Sequence, residues 1–144
     1  MKKASDWYLG FMHWLIGGFA IPLLLFSIVF MLSLLFIEVD PAGNIADPLV
    51  DQITRVVFGI AGLIFTWFGA RMYARHLKRT YRITNANSVA SIATGFFVVV
   101  GLIMFLPELI IPEISSSASD TISQVGIFLA QISIFYFVSK KELH

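Results

Sequence analysis

The sequence predicts an all-α fold, a bundle of four transmembrane helices forming a single domain over residues 1–144. Hydrophobic residues make up 58% of the chain and charged residues only 13%, with a mean hydropathy of +0.84. A soluble domain has about 25% charged residues. A soluble chain of this length would also leave roughly a third of its unfolded surface exposed to water. Lipid is therefore expected to be part of its solvent.

Four apolar stretches are long enough to cross about 30 Å of hydrocarbon. They cover approximately residues 14–37, 53–73, 88–106 and 121–139. The first exceeds the 7 to 15 apolar residues typical of a secretory signal, and no small-residue cleavage site follows it, so it is predicted to be retained. The second has a short uncharged core between Arg55 and Arg71, whose long side chains can reach the two interfaces.

The start of the first span carries helix-disturbing residues. Gly17, Gly18 and Pro22 predict a kink or a loose turn, because proline removes one backbone hydrogen bond. Residues 5–13 are then expected to lie along the membrane interface before the chain turns inward.

The charged residues alternate between the two sides of the predicted membrane. One side receives nine of the cations: Lys2, Lys3, Arg71, Arg75, Lys78, Arg79, Arg82, Lys140 and Lys141. The other receives most of the acids: Glu38, Asp40, Asp47, Asp51, Glu108, Glu113 and Asp120. Because Lys and Arg near span ends are retained inside the cell, both the N-terminus and the C-terminus are predicted to be cytoplasmic. A bacterial cytoplasmic (inner) membrane suits this simple asymmetry.

Cations in the loop after the second span recur at helical spacing. The second helix is therefore predicted to continue beyond the membrane and to end near residues 84–87, with Asn87 or Ser88 capping the third span. The cations expected to contact lipid headgroups are Arg71, Arg75, Lys78, Arg79 and Arg82. No nucleic-acid partner is expected, since the retention of positive charge inside the cell already accounts for these cations.

Uncharged polar residues are the candidate site within the spans. Gln131 lies near the middle of the fourth span and Gln124 lies seven residues earlier on the same helical face. A primary amide facing lipid would lack hydrogen-bond partners. The candidates for interhelix polar contacts, or alternatively for the lining of a pore, are Gln124, Gln131, Ser88, Ser91 and Thr94.

Small residues at four-residue spacing predict close helix packing. They are Gly62, Thr66, Ala70, Gly95, Gly126 and Ala130, with Ser91 preceding Gly95. These tracks are expected to face other helices of the bundle or other copies of the chain.

No catalytic residue, metal ligand or cofactor is predicted. The chain has no cysteine, which excludes thiolate chemistry and disulfides. It also lacks the phosphate-loop, nucleophile-elbow and zinc-helix motifs. His13 and His76 are both expected near the cytoplasmic interface, and paired histidines can hold a haem iron. Two interfacial histidines are the preferred interpretation.

The functional hypothesis is a non-catalytic subunit or scaffold of a membrane assembly. Its partners would be membrane lipids and either further copies of the chain or a larger membrane protein. The alternatives are a homo-oligomeric ion channel and, third, a small-molecule transporter or intramembrane enzyme.

Overall fold

The structure is a computed structural model, and it describes residues 1–111 and 118–144. The helices are α1 (Asp6–Met12), a π-helical segment (His13–Ala20), α2 (Ile21–Ser33), α3 (Pro48–Thr80), α4 (Ala86–Ile110) and α5 (Ala118–Leu143). Within the described residues, four stretches are long and apolar enough to span a membrane: Asp6–Ser33, Pro48–Thr80, Ala86–Pro107 and Thr121–Leu143. The predicted all-α fold with four candidate spans is confirmed. Glu113, one of the acids of the second outer loop, lies outside the described residues.

The first span is one helical path from Asp6 to Ser33, with no break after residue 13. That residues 5–13 lie along the interface stays a prediction. Ser5 caps its start, because the Ser5 hydroxyl accepts a hydrogen bond from the Tyr8 amide at 3.2 Å. The predicted loose turn takes the form of the π-helical segment, in which the amide of Ile21 donates to the carbonyl of Ile16. Pro22 has no amide hydrogen to donate, and the widened turn accommodates this gap without breaking the helix.

α3 is the longest helix, and both of its ends are specified locally. Asp47 caps its start by accepting from the Leu49 amide at 2.8 Å, and Pro48 occupies the first turn. Its 33 residues extend about 50 Å, roughly 20 Å more than the hydrocarbon core of a bilayer.

α3 ends at Thr80, so the predicted end near residues 84–87 was wrong. The backbone turns extended at Tyr81 and pairs with Lys2, whose amide donates to the carbonyl of Thr80 at 3.2 Å. The amide of Arg82 donates back to the carbonyl of Lys2 at 3.1 Å. The cap of α4 is Asn85, which accepts from the Ser88 amide at 3.1 Å, and not Asn87 or Ser88.

One end of the bundle, here named the basic end, gathers three separate parts of the chain. Lys2 pairs with the α3–α4 connection, and Nε2 of His144 lies 3.2 Å from Oδ1 of Asn87. A hydrophobic core lies directly behind them and consists of Leu9, Ala74, Leu77, Ala86, Val89, Ala90 and Leu143. The α2–α3 loop lies at the opposite, acidic end, because α3 runs the whole length between them.

The first span and α3 cross at two glycines. A Cβ on Gly69 would collide with the carbonyl oxygen of Gly17, and a Cβ on Gly17 would lie 3.1 Å from the carbonyl oxygen of Gly69. The two backbones can approach this closely only because both positions lack side chains. This crossing sets the position of the neighbouring His13.

Candidate functional site

His13, the first residue of the π-helical segment, is one of the fully buried polar groups of the described structure. Its side chain is fully buried, and its Nε2 lies 2.7 Å from Oγ of Ser139, which is also fully buried. The Ser139 hydroxyl donates to the carbonyl of Phe135 at 2.5 Å, so it accepts from His13. This pattern assigns the Nε2–H tautomer to the ring.

The other ring nitrogen of His13 has no hydrogen-bond partner. Nδ1 is buried beside Gly17, where a Cβ would lie 3.2 Å from it. An unsatisfied buried acceptor costs free energy, so the site keeps His13 at the expense of some stability. Within the described residues, no three His, Asp or Glu side chains cluster closely enough to hold a metal ion.

Aromatic rings enclose His13 on both sides. Its ring centroid lies 5.0 Å from that of Phe135 and 6.2 Å from that of Tyr73, and both contacts are stacked. His76 stacks on the same tyrosine at 5.6 Å, but it is exposed whereas His13 is buried. The two histidines are therefore separated by Tyr73 and do not face a common haem iron, as the haem alternative requires.

A groove follows the basic half of α3, and we name it the basic groove. It has a volume of about 550 Å³. Its lining residues are Trp67, Phe68, Arg71, Met72, Arg75, His76 and Arg79. The end nearer the centre of the bundle is aromatic, and the end nearer the basic end of the bundle is cationic. The groove is thus amphiphilic along the helix axis.

Glu142 on α5 holds two arginines of the basic groove. Its carboxylate accepts from Nε of Arg75 at 2.7 Å and from Nη2 of Arg75 at 3.3 Å. Oε1 of Glu142 lies 3.1 Å from Nε of Arg71, but without hydrogen-bond geometry, so this contact is electrostatic. The Arg71 guanidinium also lies over the Trp67 ring, 5.0 Å from its centroid.

The polar candidates within the spans do not line a common path in one copy of the chain. Ser91 is exposed on the outer face of α4, and Ser88 is half-buried. The Thr94 hydroxyl donates to the carbonyl of Ala90 in its own helix at 2.8 Å. Gln124 is exposed near the start of the fourth span, whereas Gln131 is half-buried in the bundle.

Gln131 lies between two apolar recesses that open sideways from the bundle. One has a volume of about 310 Å³ and is lined by aromatic residues that include Trp14 and Phe105, and the other has a volume of about 240 Å³. Both are bounded by Gly18, Phe97 and Gln131 itself. Gln131 thus borders both recesses.

The small-residue tracks divide between the interior and the surface. On α3, Thr66 and Ala70 are buried, and a Cβ on Gly62 would lie 3.1 Å from Nε2 of Gln131. Ala130 is half-buried. Gly95 on α4 and Gly126 on α5 are exposed, and a Cβ on either would meet no heavy atom within 4 Å. The outward glycines are available to groups outside the chain.

Two residues of these sites were missed by the sequence analysis. Glu142 lies in a basic tail, but it follows Phe135 and Ser139 at helical spacing, and this shared face is the signal that could have revealed it. His13 was expected to be an exposed residue near the interface, and its side chain is instead fully buried among the helices. The signal that could have revealed this burial is the spacing of the sequence, because His13 lies four residues from Leu9 and four from Gly17, and both of these are buried.

No protein-family model matches this chain, and neither a curated protein nor a solved structure shows significant similarity to it.

Proposed function

We propose that this protein is a non-catalytic helical subunit of a larger membrane assembly, and that a neighbouring transmembrane helix docks on the outer face of α4. The observation that carries this proposal is the open surface around Gly95. We place the assembly in a bacterial cytoplasmic membrane with the basic end inside the cell, because Lys and Arg near span ends are retained there.

The outer face of α4 has the composition of a helix-docking surface. Ser91 and Gly95 are exposed one turn apart, and no heavy atom beyond the adjoining residues and backbone of α4 lies within 4 Å of a Cβ on Gly95. Val99 and Leu102 continue the same face and are each 55% exposed. Small residues at this spacing let a second backbone approach closely, whereas lipid tails fill such a notch poorly.

Hydroxyl groups within the spans support a structural role over a conducting one. Those of Thr66 and Thr94 donate to the carbonyls of Gly62 and Ala90 in their own helices, each at 2.8 Å. Ser139 similarly donates to its own helix while it accepts from His13. These groups stabilise the helices and their contacts, and they are not directed towards a shared water path.

Thiol crosslinking tests the docking face directly, because the chain has no cysteine of its own. Gly95→Cys, present at native level in its own membrane, labelled with a maleimide that carries a photoreactive benzophenone and then irradiated, is expected to give a crosslinked band. A band at twice the 16.1 kDa mass of the chain identifies a second copy, and any other mass identifies a different subunit. Both outcomes support the proposal.

Gly126→Cys is the matched control, because Gly126 is equally open but the residue one turn before it is the bulky, exposed Ile122, whereas Gly95 is preceded by Ser91. It should crosslink far less. Gly95→Leu should abolish co-purification of the partner in mild detergent, and Gly126→Leu should preserve it. The proposal fails if Gly95→Cys gives no crosslink, or if both leucine variants behave like the unmodified protein.

A further inference from the structure

We propose that the basic groove on α3 is a discrete binding site for an anionic phospholipid with a phosphomonoester headgroup. The phosphate would lie among the guanidinium groups of Arg71, Arg75 and Arg79, and the acyl chains would run along the aromatic end at Trp67. This site goes beyond the subunit role and does not depend on it.

The position of the groove along α3 matches the depth of a lipid headgroup. The helix is about 20 Å longer than the hydrocarbon layer, and its uncharged part ends at Ala70. Trp67 lies just within that limit, at the level where tryptophan favours the interface. Arg71, Arg75 and Arg79 follow at successive turns into the headgroup layer. A phospholipid has the same order of apolar and charged parts.

The charge of the groove matches a doubly charged phosphate. Three guanidinium groups face one carboxylate, that of Glu142, and two positive charges remain. A phosphomonoester carries about −1.5 to −2 charges near neutral pH. A phosphodiester headgroup carries a single negative charge and would leave about one of the two positive charges of the groove unneutralised.

Glu142 arranges the arginines without blocking them. Its side chain is 17% exposed, whereas those of Arg71 and Arg75 are 38% and 50% exposed, so the carboxylate lies beneath the two guanidinium groups. On Arg71 the carboxylate contacts Nε, at 3.1 Å, and the proposed phosphate would bind the terminal Nη groups. Guanidinium groups fixed in this way suit bidentate recognition of phosphate oxygens.

The remaining cations of this region do not share the site. Lys78 lines a smaller adjoining recess of about 240 Å³ with Arg75, Arg79 and Glu142. Arg82 lies beyond the end of α3 on the extended backbone paired with Lys2. Of the five cations predicted to contact lipid headgroups, the proposed site thus contains Arg71, Arg75 and Arg79.

Native mass spectrometry of the intact protein in detergent, titrated with single lipids, tests this proposal. Phosphatidic acid is expected to be retained with a stoichiometry of one, at least tenfold more tightly than phosphatidylglycerol or phosphatidylcholine. Arg79→Gln should weaken retention about fivefold, because each cation near a membrane surface contributes a factor of this size. Arg79 is exposed, and its side chain makes no hydrogen bond or ion pair in the described structure.

Two further variants distinguish a site from diffuse attraction. Arg82→Gln removes the same charge outside the groove and should leave retention unchanged. Glu142→Gln keeps an amide oxygen that can still accept from Arg75 but removes the negative charge from the groove, so it should strengthen retention about fivefold, a change that misfolding would not produce. Equal retention of phosphatidic acid and phosphatidylglycerol, equal losses in Arg79→Gln and Arg82→Gln, or weaker retention in Glu142→Gln would each overturn the proposal.

Discussion

Nε2 of His13 donates a hydrogen bond to Oγ of Ser139 over 2.7 Å, and this bond joins the first span to α5 across 126 positions of the chain. Both side chains are fully buried, and the bond lies between the glycine crossing and the hydrophobic core of the basic end. It is the principal directed contact between these two helices among the described residues, because the other contacts there are aromatic stacking and apolar packing. The histidine thus fixes how α5 sits against the first span.

Replacing Ser139 by alanine should destabilise the bundle by about 1 to 2 kcal/mol. The substitution removes the acceptor and leaves a buried imidazole N–H without a partner, which costs more than the small net value of an average interhelix hydrogen bond. The measurement is the free energy of unfolding in mixed micelles of mild detergent and SDS. Ser133→Ala is the control, because the exposed Ser133 hydroxyl donates only to its own helix, at the carbonyl of Leu129. Equal losses in the two variants would show that the bond to His13 contributes nothing.

Gly69→Ala should lower the free energy of unfolding by about 1 to 3 kcal/mol, because the added methyl group meets the backbone carbonyl of Gly17 and cannot rotate away from it. Gly126→Ala is the matched change at an open glycine, and it should stabilise α5 by about 0.5 to 1 kcal/mol. Opposite signs in the same unfolding assay are expected. A neutral result for Gly69→Ala would mean that the two helices do not cross at these residues.

Asp40 should make the α2–α3 loop sensitive to acid. Its carboxylate accepts from the Asn44 amide at 2.7 Å, and hydrogen bonding to the charged form lowers the pKa of Asp40 below its ordinary value of 3.8. Because the folded pKa is depressed, the contribution to loop stability is complete above 3.8 and is lost as the pH falls through the lower, folded value. The amide proton resonance of Asn44 should therefore titrate with a midpoint below 3.8 and should cease to titrate in Asp40→Asn. A midpoint at or above the ordinary value would contradict the loop geometry.

Single cysteines should report two separate sides of the membrane. Ser5→Cys and Thr84→Cys lie at the basic end and are expected to react with a membrane-impermeant maleimide only after cell lysis. Ala42→Cys lies in the α2–α3 loop and should react in intact cells. Labelling of all three in intact cells, or of Thr84→Cys alone, would exclude the predicted orientation.

The four spans could be predicted because hydropathy and length are local properties of the sequence. The C-terminal end of α3 was harder to predict from the sequence. Arg82 continues the helical spacing of the cations, but the backbone leaves the helix at Tyr81 to pair with Lys2. That pairing joins residues far apart in the chain, and no local pattern signals it. The cap of α4 was misplaced by two or three positions for the same reason, since the earlier end of α3 moves the start of the next helix.

The candidate site was harder to foresee than the fold. The charge pattern identified Arg71 and Arg75 as cations that follow the second span, but it does not indicate that Glu142 of α5 pairs with them. Hydropathy treats His13 as a polar residue at a span end, although the π-helical segment and two glycines let the helices close around it. In both cases the partner comes from α5, and only the three-dimensional arrangement brings the residues together.

The bond between His13 and Ser139 also has a consequence for the order of assembly. During synthesis the first span is made long before α5, so the His13 imidazole lacks its acceptor, Ser139, until α5 has been synthesised. Leu9 is in the same position, because Leu143 completes the core around it. The packing of the basic end is therefore complete only when α5 is in place, so the last helix of the chain is the one that closes the core around the first.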